Sequence, residues 1–175
     1  MKSLLLLSLS VATVNPSPFD ALEKLPTLKS YVGHEATYPH APKGSTLIYN
    51  KAFFDETRRL TVTAAVFPRA SSINSAIQFR DKDRQGASIA MSLPEFEKDG
   101  FRIHFVANPK WLESDLVVGK LWVQVALDRG KYIKSDSGDG DTAIAKEFRG
   151  DTKSYKLFKA ILPEIKRLAK LASQR

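Results

Sequence analysis

Cysteine is absent from the 175-residue chain. That removes disulfides, thiolate metal sites, iron–sulfur clusters and cysteine nucleophiles together, and with them lipid anchoring through an N-terminal cysteine. Histidine is scarce, at three residues. No apolar run reaches the roughly 20 residues that a membrane-spanning helix needs. Neither GxxxxGKS/T nor GxGxxG occurs, and Gln85-Gly86-Ala87-Ser88 lacks the flanking glycines of a nucleophile elbow. No internal repeat or low-complexity tract appears. The absences therefore strip away the motif-bearing enzyme classes and leave a chain whose chemistry has no local signature.

What is present is ordinary in bulk and skewed in charge. At 43% hydrophobic and 26% charged residues, the composition is that of a globular domain. The length suits one unit of about 100–150 residues behind a short leader. The formal charge of +8, with an isoelectric point near 9.7, favours encounter with anionic partners without choosing among them.

Lys2 followed by the run Leu4–Val14 has the form of a secretory signal, and Asn15-Pro16-Ser17-Pro18 ends it. Residues 1–18 are read as a signal peptide and 19–175 as a single domain, which makes the expected location secreted or periplasmic.

Beyond the leader, Phe19–Tyr31 reads as two short helical turns divided by Pro26, and Val32–Gly44 as loop. Leu60–Val66, Phe101–Phe105 and Leu121–Leu127 alternate apolar and polar side chains, the signature of half-buried strands. Shorter strands are expected at Thr46–Asn50, Ala76–Arg80, Ala87–Leu93 and Lys131–Lys134. Short turns at Arg80–Gly86 and Pro94–Gly100 make neighbours antiparallel, and Asn108–Asp115 reads as a helical turn. Leu157, Phe158, Ile161, Leu162, Ile165, Leu168 and Ala169 define an amphipathic C-terminal helix, capped by Asp151 or Thr152 and kinked or split at Pro163. The predicted fold is α+β: an antiparallel twisted sheet or partly closed barrel of about six or seven strands, with this helix packed across it.

Candidate chemistry is thin. Gly33-His34-Glu35 and His40, completed by His104, offer imidazole and carboxylate, but the spacing is not that of a metalloprotease helix, so the metal content stays open. Ser135–Asp141 gathers carboxylates around glycines. Read as an EF-hand loop it places Gly138 and Gly140 at ligand positions and fails. Glu95, Glu97 and Asp99 sit together, with nothing that sets them in a cleft. Arg58, Arg59, Arg69, Arg80, Arg84 and Arg102 with Trp111, Trp122 and Tyr132 would suit nucleic acid. Interleaved acids such as Asp81 and Asp83 argue against that partner. The lysine-rich face of the C-terminal helix allows peripheral contact with an anionic membrane. No cofactor is implied, and catalysis is unsupported.

The order of short helix, meander and long C-terminal helix resembles that of helix-grip proteins, which hold hydrophobic ligands. Two functions are expected from these observations. The first is an exported non-catalytic binding protein (an inhibitor, immunity or accessory factor) acting through a protein partner. Its partner loop would be Ser135, Asp136, Asp139 and Asp141. The second is a carrier of a small hydrophobic ligand in a cavity between sheet and helix, lined by Phe101, Phe105, Trp122, Phe158 and Leu162.

Overall fold

Alternating side chains between Leu60 and Leu127 build one antiparallel sheet, seen here in a computed structural model that describes residues 17–35, 42–83, 88–91, 93–106, 111–129, 146 and 148–174. Its strands are β1 (Val32–Glu35), β2 (Thr46–Phe54), β3 (Arg59–Val66), β4 (Ser88–Met91), β5 (Arg102–Val106), β6 (Trp111–Val118) and β7 (Leu121–Asp128). The seven run in the order β1-β2-β3-β7-β6-β5-β4. The sheet is open, with β1 and β4 as its edges, so of the two expected forms it is the sheet and not the barrel. One meander covers β1 to β3. The chain then crosses to the far edge and a second meander returns, so that β7 pairs with β3 over eight consecutive positions, from Arg59 opposite Asp128 to Val66 opposite Leu121.

Two 3-10 turns, η1 (Pro18–Lys24) and η2 (Pro26–Leu28), precede the sheet. Pro26 divides them as the sequence predicts. The Phe19 amide donates to the Ser17 hydroxyl at the start of η1, so Ser17 and Pro18, assigned above to the leader, cap and open the first folded turn. Among the described residues, α1 (Ala70–Asp83), the four-residue α2 (Pro94–Glu97) and α3 (Thr152–Ser173) follow, and residues 148–150 are helical as well.

The period of two sorts the sheet's residues into faces of opposite character. Leu60, Val62, Leu112, Leu116, Leu121, Val123, Val125 and Leu127 point to one side, where they join the buried residues of α3 and η1 in a single apolar cluster. α3 contributes Leu157, Phe158, Ile161, Leu162, Ile165, Leu168 and Ala169 to it, the i, i+3, i+4 stripe read from the sequence. Pro163 does not split the helix. It lies on the exposed face, where the backbone acceptor that loses its partner is open to water. The opposite side of the sheet carries a smaller cluster of Ala65, Phe67 and Trp122 with Ile73 and Ile77 from α1.

Three local expectations are corrected. Ala76–Arg80 is helical and belongs to α1, because Ile73 and Ile77 stand four apart and turn onto Trp122. The tract from Trp111 to Asp115 is strand, since Leu112, Ser114 and Leu116 alternate with Glu113 and Asp115 across β7. Val32–Glu35, read as loop, pairs with β2 as an edge strand. Lys131–Lys134 lies outside the described residues.

Between β4 and β5 the expected turn is a helical one. Gly100 takes φ +89°, its amide donates to Glu97 O and the Phe101 amide to Phe96 O. This is the Schellman closure, with Phe96 and Phe101 both in the core.

Truncating Phe158, fully buried and in edge contact with Phe96 and Phe148, is expected to cost about 3–5 kcal/mol as Phe158→Ala in urea denaturation. The same change at its exposed neighbour, Lys159→Ala, should stay within about 0.5 kcal/mol.

Candidate functional site

The end of the central strand fixes where α3 begins. Arg129, one residue past β7, donates from Nε to Asp151 Oδ2 at 2.8 Å. Both side chains are almost wholly buried. Asp151 is also the N-cap of α3, its Oδ1 accepting from the Ser154 amide. Burial alone would raise the pKa of Asp151. The hydrogen bonds from Arg129 and Ser154 outweigh it and hold the carboxyl below its ordinary range.

Beside this anchor the first turns of α3 face the β2–β3 connection and leave a surface groove of about 480 Å³. Its walls are Thr27, Ser30 and Tyr31 on one side, Asp55 and Arg58 at the base, and Lys153, Lys156, Leu157 and Ala160 on the helix. The connection is a turn organised by one carboxylate. Asp55 Oδ1 accepts from the amides of Thr57 at 2.8 Å and Arg58 at 2.6 Å. Its Oδ2 accepts from Arg58 Nη1 at 3.3 Å, while Arg58 Nε reaches Ser154 Oγ at 3.3 Å. The guanidinium therefore ties the hairpin to α3.

These bonds decide which groups remain available. Asp55 is desolvated, which raises its pKa, but the Thr57 and Arg58 amides, the Tyr31 hydroxyl and the Arg58 guanidinium together lower it. Tyr31 is pushed up to about 12 by burial first and by the Asp55 charge and hydrogen bond next. Asp55 is thus a saturated carboxylate, a poor general base. Tyr31 stays a neutral donor at any physiological pH. Lys153 and Lys156 are different. Both are exposed and neither has an ion-pair partner among the described residues. With Arg58 offset by Asp55, the groove keeps two positive charges in excess. Its excess charge suits an anion.

A second set of polar side chains lies on the α1 side of the sheet. Asp115 accepts from Trp122 Nε1 at 2.9 Å and stands 2.9 Å from His104 Nε2. Gln124 donates to Glu113, and Thr63 to Asn50. All are buried, and their bonding explains how a sheet face this polar is tolerated.

The sites expected from the sequence scatter. Phe101, Phe158 and Leu162 meet in the main cluster, whereas Trp122 projects to the opposite face, because it alternates with Leu121 and Val123. The Phe105 side chain lies outside the described residues, so the five do not line one cavity. His34 and Glu35 are on β1 and His104 on β5, with four strands between them. At about 4.8 Å per strand that is about 24 Å along the sheet, too far for one metal ion. His40 lies outside the described residues. Among those described, no group of three or more His, Asp or Glu is placed to hold a metal. Ser135, Asp136, Asp139 and Asp141 also lie outside them. Trp122 is too deeply buried to stack a base, and Arg59 is over the Phe54 ring, 5.5 Å from its centroid. No described helix is long and apolar enough to cross a membrane, and the apolar stripe of α3 is spent on the sheet.

Glu95 is bound by Arg149 through two contacts of 2.9 and 3.1 Å and by the Tyr155 hydroxyl at 3.1 Å. The Arg149 hydrogen bond above all lowers its pKa from 4.5 to about 2, against the opposing effect of burial. A depressed carboxylate contributes stability that is complete above the unfolded value and lost as pH falls through the folded one. The clasp of α2 to the start of α3 should therefore weaken between about pH 4.5 and about pH 2. Glu95→Gln should flatten the acid limb of a thermal-stability profile over that window and leave its neutral limb parallel to wild type. For the chain as a whole, no family model, no curated protein and no solved structure matches.

Proposed function

We propose that the protein is an exported, non-catalytic binding module that recognises an acidic protein partner through the exposed face of α3. The observation that carries this reading is the charge of the helix: Lys153, Lys156, Lys159, Lys166, Arg167 and Lys170 against the single acid Glu164. Glu164 is matched by Arg167, and Lys166 by Asp99. Lys153, Lys156 and Lys159 have no ion pair among the described residues.

Distance decides which of them act together. Residues three or four apart on a helix have Cβ atoms about 5–6 Å apart, inside the Debye length of about 8 Å at physiological salt. Lys153, Lys156 and Lys159 thus present a joint field. Lys170 is about 21 Å along the axis from Lys156 and is screened from it. The partner is met at the N-terminal half of the helix. The polar wall of Tyr31, Asp55 and Arg58, with its bonds already made, supports recognition over reaction. The carrier alternative draws no support from the aromatic packing around Phe158, where Phe96 and Phe148 lie edge-on to the ring.

A fluorescent oligoglutamate peptide, followed by anisotropy, tests the reading. Binding should weaken steeply between about 50 and 200 mM salt, as contacts between charges do. Lys153→Ala/Lys156→Ala/Lys159→Ala should weaken it at least about tenfold, about 1.4 kcal/mol. Lys43→Ala/Lys98→Ala/Lys120→Ala, an equal loss of charge at exposed positions elsewhere, should cost far less. Equal losses from both triple variants would reduce the effect to net charge and remove the site.

A further inference from the structure

The first turn of the domain is built into its core. Phe19 and Leu22 of η1 are fully buried in the main cluster, and the Phe19 ring lies 5.5 Å from that of Tyr49 on β2. Ser17 sets this turn. Its hydroxyl accepts from the Phe19 amide at 3.3 Å and its carbonyl from the Asp20 amide at 3.0 Å. One residue thus satisfies two amides that the start of a helical turn leaves open. Pro18 follows at a position where its fixed φ suits the turn and its missing N–H is not needed. A cut after Ser17 or after Pro18, where composition ends the leader, removes both acceptors.

Upstream, the sequence offers a different bond. Behind Lys2 and the leucine run, Ser10-Val11-Ala12 has small residues at the two positions that signal cleavage requires, with alanine at the second. Ser8-Leu9-Ser10 also pairs small residues, but a cut there shortens the apolar run and leaves Val11 and Ala12 on the product. None of Thr13, Val14, Asn15 and Pro16 completes such a pair.

We propose, resting on the export reading above, that a signal peptidase hydrolyses the Ala12–Thr13 bond and that the mature chain begins at Thr13. Water is the co-reactant. As the C–N bond breaks, its hydroxyl completes the carboxyl of Ala12 and its hydrogen completes the amino group of Thr13. The segment Thr13–Pro16 then remains ahead of Ser17, so the cap is kept together with the buried anchors Phe19 and Leu22. The leader ends upstream of the boundary that its composition suggests, because the folded turn has a claim on Ser17 and Pro18.

The full chain, expressed in a host that exports proteins, tests this through N-terminal sequencing and the intact mass of the exported product. That product should begin at Thr13. Ala12→Leu, which puts a large side chain at the second small position, should abolish it and leave uncleaved precursor. Val14→Leu, outside the pair, should be processed as wild type is. Ser17→Ala should keep the Thr13 start and lower the melting temperature of the product by about 2–4 °C, as loss of a cap does in a chain of this length. An exported product with any other first residue overturns the assignment and leaves export standing. An unchanged melting temperature for Ser17→Ala overturns Ser17 as the boundary that keeps the cut upstream. If the whole chain stays in the cell uncleaved, the site and the export reading fall together. Oligoglutamate binding by α3 is read separately and survives either result.

Discussion

A buried ion pair determines where the groove lies. Arg129 and Asp151 join the end of the central strand to the N-cap of α3, the longest described helix, and they do so inside the protein. Removing one partner from such a pair leaves a buried charge with a deficit of contacts, at a cost of about 3–5 kcal/mol. The pair therefore specifies position more than it supplies net stability. It sets the axial register of α3 on the sheet, and that register places Ser154 against Arg58 and Lys153 and Lys156 over the β2–β3 connection. The same carboxylate caps the helix, so a shift of one residue in the start of α3 would lose the cap and the ion pair together.

The rest of the architecture follows from the unequal faces of the sheet. One face is apolar across β3, β6 and β7 and takes a long amphipathic helix. The other carries Asn50, Thr63, Glu113, Asp115 and Gln124 and takes a short apolar contact from α1 around Trp122. Burial at about 25 cal/mol per Å² of apolar surface makes the first face the main source of stability. On the second, Thr63 is bonded to Asn50 and Gln124 to Glu113, and Asp115, bound by Trp122 and His104, connects the two regimes. Since α3 is held by its whole apolar stripe, its outer face is free of packing duties.

The sheet and α3 were legible because their signals are periodic and long: alternation through Leu60–Val66 and Leu121–Leu127, and seven core positions on one helical stripe. α1 was hidden by composition. Its polar sequence has few apolar residues besides Ile73, Ala76, Ile77 and Phe79, and so few do not distinguish periods of two and 3.6. β6 was obscured by Asn108-Pro109, which resembles a helix start, although Gly119-Lys120 between two alternating runs is the mark of a two-residue hairpin. Gly119 indeed takes φ +60° there. The groove could not be read at all. Thr27, Asp55 and Lys153 come from three segments far apart in the chain, and each is an ordinary polar residue in its own segment.

The helix dipole bears on the distribution of charge along α3. Cations toward the C-terminal end are favoured by the dipole, and there Lys166 and Arg167 are in addition paired with Asp99 and Glu164. Stability by itself would concentrate lysines at that end and carboxylates at the start. The carboxylate at the start is Asp151, which caps the helix, and Lys153 and Lys156 lie just beyond it on the exposed face. The apolar stripe fixes α3 on the sheet and Asp151 fixes its start, so the lysines of its exposed face are needed for neither, and that is why the proposed contact with an acidic partner falls on them.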